Sequence, residues 1–310
     1  MTMILYHDTL FLDHDPGHHP ENPERLRACW NRLSSSPIFS RVDIRPAALG
    51  KIDPVLAVHE KSVVERAHAV SLIGGYLDAD TPVCRKSFDV ALRAAGTAIA
   101  AVDDVMLNGP AKAFCLMRPP GHHATRSSSM GFCLFNNIAV AAKHALTHHQ
   151  LQRILVIDWD VHHGNGTQDI FYDDPAVFFL SMHRYPFYPG TGGLGETGTG
   201  SGLGTTRNVP VAAYVSSQEI LDRFRSALEE SARTIRPELV LLSAGFDAHR
   251  LDPIGGLSLE KEDFRQMGEM VLDIARTYAG GKLVSLLEGG YNTEVLADCV
   301  EDHVALLADD

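Results

Sequence analysis

The sequence predicts an α/β fold built on a central, mainly parallel β-sheet flanked by helices. Three observations carry that expectation. Short apolar runs alternate with longer segments of helical period. Four of these runs, 113–117, 154–157, 239–243 and 283–287, read as strands buried on both faces. Each is followed by a polar cluster: Gly121-His122-His123, Asp158 to His163, Gly245-Phe246-Asp247 and Glu288-Gly289-Gly290-Tyr291. In an open α/β sheet, ligands bind beyond the carboxyl ends of parallel strands, so these clusters belong at one crevice.

In chain order, the polar stretch 13–23 reads as a loop whose end, Glu21-Asn22-Pro23-Glu24, starts a helix. Segment 87–107 carries Val90, Ala91, Ala94, Ala98, Ala101, Val102 and Val105 at helical spacing. Segments 134–146, 218–235, 260–278 and 295–307 read similarly, with Ser217 as the expected cap of the third of these five. Strands lying between helices imply crossover connections and a parallel sheet. Residues 177–182 read as a further strand, and the glycine-rich loop 186–206 after it falls on the same carboxyl face. A loop of that length in a compact domain is more often functional than idle. With no internal repeat and no low-complexity linker, residues 1–310 read as a single domain.

Composition narrows the function. The chain of 310 residues, 45% hydrophobic and 21% charged, can bury a substantial core. A net charge of −12 argues against a nucleic-acid binder and suits a cationic substrate. The cysteines (Cys29, Cys84, Cys115, Cys133, Cys299) are odd in number and form no C-x-x-C pair, which points to a reducing compartment. No signal-peptide pattern opens the sequence, and no apolar run approaches the ~18 residues of a membrane helix. A cytoplasmic protein without nucleic-acid or membrane partners is the expectation.

The chemistry starts from Asp158-x-Asp160-x-His162. In extended backbone alternate side chains share a side, so these three converge as the strand ends. Carboxylates and imidazole suit a borderline divalent metal, and Asp247 adds a carboxylate from another strand end. A lone D-x-D is more often a pair of turn-forming aspartates; with His162, His163 and Asp247 also at strand ends, the metal reading prevails. His122-His123 follows the stiff Arg118-Pro119-Pro120-Gly121 turn and offers a proton-transfer pair. Among 16 histidines, His18-His19 and His148-His149 are also paired. His148-His149 closes a helical segment with no strand-end context and reads as plain polar surface. Tyr291 follows paired glycines that could turn its hydroxyl into the crevice as an oxyanion donor, or else it packs beneath a turn. Cys133 has no partner pattern and reads as buried.

Together these motifs resemble the histone deacetylase family, in its class II branch and bacterial amidohydrolase relatives. The resemblance runs from His18-His19-Pro20-Glu21-Asn22-Pro23-Glu24-Arg25-Leu26, through Arg118–His123, Met130–Asn137 and Asp158–Gln168, to Gly245-Phe246-Asp247-Ala248 and Glu288–Asn292. Six such motifs in order are highly specific. The resemblance implies an arginase-deacetylase fold, with helices on both faces of the sheet. It implies Asp160, His162 and Asp247 as ligands of one catalytic zinc, although the same set accepts ferrous iron. Asp158 would pair with His122 and join Asp160, His162, Ser181 and Met182 around a structural potassium ion. His123 would be the general base, Tyr291 the oxyanion donor, and Asn165 the partner of His123, where some relatives have aspartate. A neutral amide there should leave His123 readily deprotonated.

Phe132 and Tyr188 occupy the places of the family's aromatic tunnel walls, the second more often phenylalanine in relatives. Asp80 would bind the substrate backbone at the rim, with Asp78 its rival. Ile254 stands where polyamine-directed relatives carry glutamate, which favours acetyl-lysine in a peptide or protein over a small acetylated amine. Glu21 is a candidate to recruit a polyamine even so, especially across a dimer interface. The expectation is a zinc-dependent amidohydrolase removing acetyl or longer acyl groups from lysine side chains, with an acetylpolyamine or other small-amide deacetylase as the alternative. An arginase-like ureohydrolase would need a second metal and more bridging aspartates. A silent acyl-lysine reader would usually have lost a ligand or the tyrosine. The oligomeric state stays open, homo-oligomers included.

Overall fold

Apolar runs and turn chemistry set the element boundaries in this computed structural model, which describes residues 3–107 and 111–310. The chain opens with β1 (Ile4–Tyr6), α1 (Glu24–Ser35), β2 (Asp43–Arg45), α2 (Ile52–Leu56) and α3 (Lys61–Ile73). A short antiparallel hairpin, β3 (Gly75–Tyr76) and β4 (Pro82–Val83), leads to α4 (Ser87–Met106) and β5 (Lys112–Cys115). Then come α5 (Asn137–His148), β6 (Ile154–Asp158), α6 (Asn165–Phe171), β7 (Val177–Arg184) and β8 (Thr206–Val211). The last third supplies α7 (Ser217–Ile235), β9 (Leu239–Ala244), α8 (Lys261–Ala279), β10 (Leu283–Leu287) and α9 (Thr293–Asp309).

Eight strands form one parallel sheet in the order β2-β1-β5-β10-β9-β6-β7-β8. From β5 the chain skips two places to β6, continues outward to β7 and β8, and returns with β9 and β10 to fill the gap. The four central strands β5, β10, β9 and β6 are therefore the four whose carboxyl ends carry the polar clusters. Asp158 pairs in register with Ser243 on one side and Ser181 on the other, which levels those strand ends. Helices α4 and α5, with α2 and α3, cover one face of the sheet; α1, α7, α8 and α9 cover the other.

Strand alternation explains the Asp-Trp-Asp segment. Trp159 is fully buried on the side opposite to Asp158 and Asp160, among Phe224, Phe246, Phe264 and His303 at centroid distances of 5.8–6.4 Å. Large aromatic burial of this kind anchors the strand end from behind.

Caps correct several expected boundaries. The helix expected over 134–146 begins at Asn137, because the Asn136 side chain accepts a hydrogen bond from Ala139 N and ends the preceding turn. Ser216, not Ser217, caps α7 by accepting from Glu219 N; Ser217 is already helical. Glu260 caps α8 in a reciprocal box with Asp263 rather than joining the helix. Strands β1 and β2, at three residues each, are too short to show a period in sequence.

Candidate active site

Asp160, His162 and Asp247 come together from the ends of β6 and β9, with their potential ligand atoms within 4.8 Å of one another. Their free valences are arranged by backbone groups. Asp160 accepts from His162 N (2.9 Å) and Gly289 N (2.8 Å), and Asp247 Oδ1 accepts from Val161 N (2.8 Å). Asp247 Oδ2 is buried and accepts no hydrogen bond, although His162 Nδ1 lies 3.2 Å away. Such an orphaned carboxylate oxygen is costly without a partner. Burial, and then the neighbouring Asp160 carboxylate, push the Asp247 carboxyl up to about 7. Burial opposes charge on His162, yet the two carboxylates outweigh it and push the imidazole up to about 9. Two buried carboxylates and an imidazole that would exchange its proton for the ion fit a divalent cation, which removes the repulsion between the acids.

Two glycines make this cradle. A Cβ at Gly245 would lie 2.1 Å from Asp160 Oδ2, and one at Gly289 would lie 2.2 Å from Asp247 Oδ2. Glycine stands at both places for close approach rather than for backbone freedom.

The histidine pair sits beside the cluster with two different partners. His122 Nδ1 is 2.9 Å from Asp158 Oδ2, and its Nε2 is 3.8 Å from Asp160 Oδ1. Burial opposes its charge, but Asp158 and Asp160 prevail and raise its pKa well above the ordinary value. His123 Nδ1 is 2.7 Å from Asn165 Oδ1, and the Asn165 amide nitrogen faces Met130 Sδ at 3.5 Å. That orientation makes Nδ1–H the donor and leaves Nε2 with its lone pair. Burial first, then His122 and His162, hold His123 well below the usual imidazole range. Of two adjacent rings, one is held charged and the other neutral.

Supporting residues that the sequence reading assigned no such role frame these groups. Glu288 accepts from Gly121 N (2.7 Å), His122 N (3.2 Å) and Ser243 Oγ (3.1 Å), tying three strand ends together. Burial pushes its carboxyl up to about 7. Asp252 accepts from Tyr291 N (2.7 Å) and Asn292 N with one oxygen, and from Ile254 N and Gly255 N with the other. Arg25 donates to the carbonyls of Gly290 and Glu288 and lies 5.0 Å above the Tyr291 ring. Glu21 is buried between Arg25, Arg118 and His14. The expectation that Glu21 recruits a polyamine is thereby corrected: its carboxylate is spent on internal cations, 1% exposed. A buried acid after a strand and before paired glycines was the available signal for Glu288.

Above the cluster opens a cavity of about 230 Å³ lined by Asp80, His123, Gly131, Phe132, His162, Phe187, Tyr188, Ile254 and Tyr291. Phe132 stands edge-on to Tyr291, and Tyr188 edge-on to His123, at centroid distances of 5.8 and 5.1 Å. Phe187, which the sequence reading passed over, stacks on His162 at 5.2 Å and 14°. Phe132 holds a left-handed φ of 69°, a strained conformation typical of functional loops. Burial and then Asp247 raise the Tyr291 hydroxyl well above its ordinary pKa, so it remains a donor. Asp80 lines this cavity while Asp78 lines a neighbouring one. Ser181 and Met182 lie on β7 beside Asp158. His163 turns away, its nitrogens against Thr191 Oγ1 and Gln168 Oε1. Cys133 is fully buried, as expected.

Residues 19–307 match the histone deacetylase domain. The chain is 38% identical to histone deacetylase 10, chloroplastic, of Oryza sativa subsp. japonica, over 96% of this chain and 72% of the relative. It is also 38% identical to a histone deacetylase-like amidohydrolase of Pseudomonas aeruginosa, covering 91% and 74%. The crystal structure of an HDA15 HD domain superposes with a TM-score of 0.95 at 34% identity, covering all of this chain and 88% of the other; it shares the arginase-deacetylase fold. With its fold, its strand-end cluster and these relatives in agreement, the chain belongs to the histone deacetylase family of hydrolases.

Proposed function

We propose that the chain is a zinc-dependent deacetylase that hydrolyses the amide of acetylated lysine side chains. The observation that carries this reading is the aromatic slot of Phe132, Phe187 and Tyr188 standing directly over His123 and the Asp160–His162–Asp247 cluster. Such a slot accepts a straight apolar stem and delivers only its terminal amide. When bound by Asp160, His162 and Asp247, zinc supplies a Lewis acid for the carbonyl and lowers the pKa of water. His123 Nε2 takes a proton from the attacking water and returns one to the leaving lysine amine, so that water and amide become acetate and amine. His122, held by Asp158, stays charged and supports the developing negative charge. The Tyr291 hydroxyl donates to the oxyanion. Asp80 at the mouth is the natural acceptor for a substrate backbone N–H.

A structural potassium ion is assigned by the same reading to Asp158, Asp160, His162, Ser181 and Met182. The five unpaired cysteines support action in a reducing compartment such as the cytoplasm. Ile254 on the cavity wall favours peptide over polyamine, because it offers no carboxylate to a second amine. Asp252 beside it is committed to four backbone N–H groups.

The test is acetate release by the zinc-loaded chain from an acetyl-lysine peptide and, separately, from N-acetylspermidine. Turnover of the peptide is expected, with kcat falling on the order of 10²–10³-fold in Tyr291→Phe and activity abolished in Asp247→Ala. Release from the polyamine alone would reverse the substrate assignment. Peptide turnover undiminished in Asp247→Ala would sink the metal assignment.

A further inference from the structure

A second cluster of metal-ligating groups, outside the active site, is present among the described residues. Asp103 in the last turn of α4, His144 near the end of α5 and His149, the C-cap of α5, bring one carboxylate oxygen and two imidazole nitrogens within 4.8 Å of one another. Both Nε2 atoms point at the same atom, each 2.7 Å from Asp103 Oδ1. The imidazoles are nearly buried, at 10% and 12% exposure, while the carboxylate at 40% keeps access to solvent. His148 stacks on His144 at 4.5 Å and 23°, which holds that ring in place. The pair His148-His149, expected from sequence to be plain polar surface, is not: His149 faces an acid 46 residues away.

We propose that Asp103, His144 and His149 form a second metal site, for zinc or a similar borderline divalent ion, which clamps α4 to α5. Two imidazole nitrogens and one carboxylate oxygen are a donor set that takes such ions in preference to magnesium or calcium. A metal replaces the two Nε2 protons, and each imidazole then carries its proton on Nδ1. Ligand atoms about 2.0–2.2 Å from a tetrahedral ion lie about 3.4 Å apart, so the two Nε2 atoms move outward from Asp103 Oδ1 to admit it, and water completes the coordination. Position adds a separate electrostatic reason. The carboxyl ends of two helices converge there, and helix C-termini favour a cation. Helix α4 leads into β5 and α5 into β6, so the cluster lies at the amino ends of those strands, opposite the catalytic cavity. An ion there therefore acts on stability, not on the reaction.

Zinc itself is the probe. The intact chain, His149→Ala and Asp103→Asn are dialysed to equilibrium against buffered zinc, and bound metal per chain is measured with the melting temperature. The wild-type chain is expected to hold one zinc more than either variant and to gain several degrees of melting temperature on zinc addition that the variants lack. Turnover by the zinc-loaded variants should stay within about twofold of wild type, since both positions lie at the opposite end of the sheet from the chemistry. Asp247→Ala, run in parallel, should lose the catalytic equivalent and keep this one. Equal zinc content in the wild-type chain and both variants would overturn the site, whatever the active site binds.

Discussion

Asn165 decides which nitrogen of His123 is free, and with it the pH at which the base becomes competent. Its Oδ1 accepts a hydrogen bond from Nδ1–H without supplying a negative charge, while burial, His122 and His162 hold the imidazole neutral. A base of lowered pKa is already deprotonated at and below the ordinary histidine range, so kcat/KM should reach its plateau below about pH 6.5. In Asn165→Asp an anion would stabilise the imidazolium, and the acid limb should move up by roughly one unit or more. A pH–rate series on both proteins checks this; an unmoved limb would remove His123 from the role of base. The residues with visible chemistry, Asp158, Asp160, His162, His122, His123 and Tyr291, were legible because each follows an apolar run. The supporting roles of Glu288 and Asp252 were not, because they act on backbone N–H groups up to 167 residues away, and a sequence does not display such partners. Phe187 was hidden for a related reason: which of two adjacent aromatics faces the cavity depends on the loop's backbone path, and here both line it.

At the level of elements, the metal cradle depends on how closely the β9 and β10 ends approach the end of β6. Gly289→Ala would put a methyl group 2.2 Å from Asp247 Oδ2 and 2.5 Å from Asp160 Oδ2, where no atom fits. The side chains of Asp160 and Asp247 must then move, while the apolar strands behind them stay packed. The expected result is a folded protein, by circular dichroism and melting, with catalytic metal and activity lost. Full metal occupancy in Gly289→Ala would refute that account of the glycine. In sequence the paired glycines signalled a sharp path towards Tyr291; a left-handed φ of 123° at Gly290 agrees. The tighter demand at Gly289 comes from the carboxylates of Asp247 and Asp160, both distant in sequence, and leaves no local trace. Helix ends were legible to within a few residues, with errors where two cap residues compete, as at Ser216 and Ser217.

For the whole molecule, burial of histidines makes stability depend on pH. His59, His163, His183 and His303 are held down to about 4, 3, 4 and 3, in each case first by burial. Unfolded, each would titrate near 6.5, so below that pH the unfolded chain binds protons that the folded one refuses. The stability these groups give is complete above pH 6.5 and drains away as pH falls towards 3. These four groups therefore pull the denaturant midpoint down between pH 7 and pH 5, and that pull should be weaker in His303→Gln, which keeps a polar partner for Ser285. Equal slopes for the two proteins would exclude His303 as a contributor. The parallel sheet and its catalytic edge were expected from the alternation of runs, but the strand order was not, since no local pattern says that β9 and β10 return between β5 and β6. That order also bears on how the chain is made. While it emerges from the ribosome, β5 and β6 are not bridged until β9 and β10 arrive, from Leu239 onward, and each waits with an open edge. The nascent protein thus carries most of its catalytic groups on a split sheet, and its need for protection from aggregation is greatest just before β9 and β10 emerge.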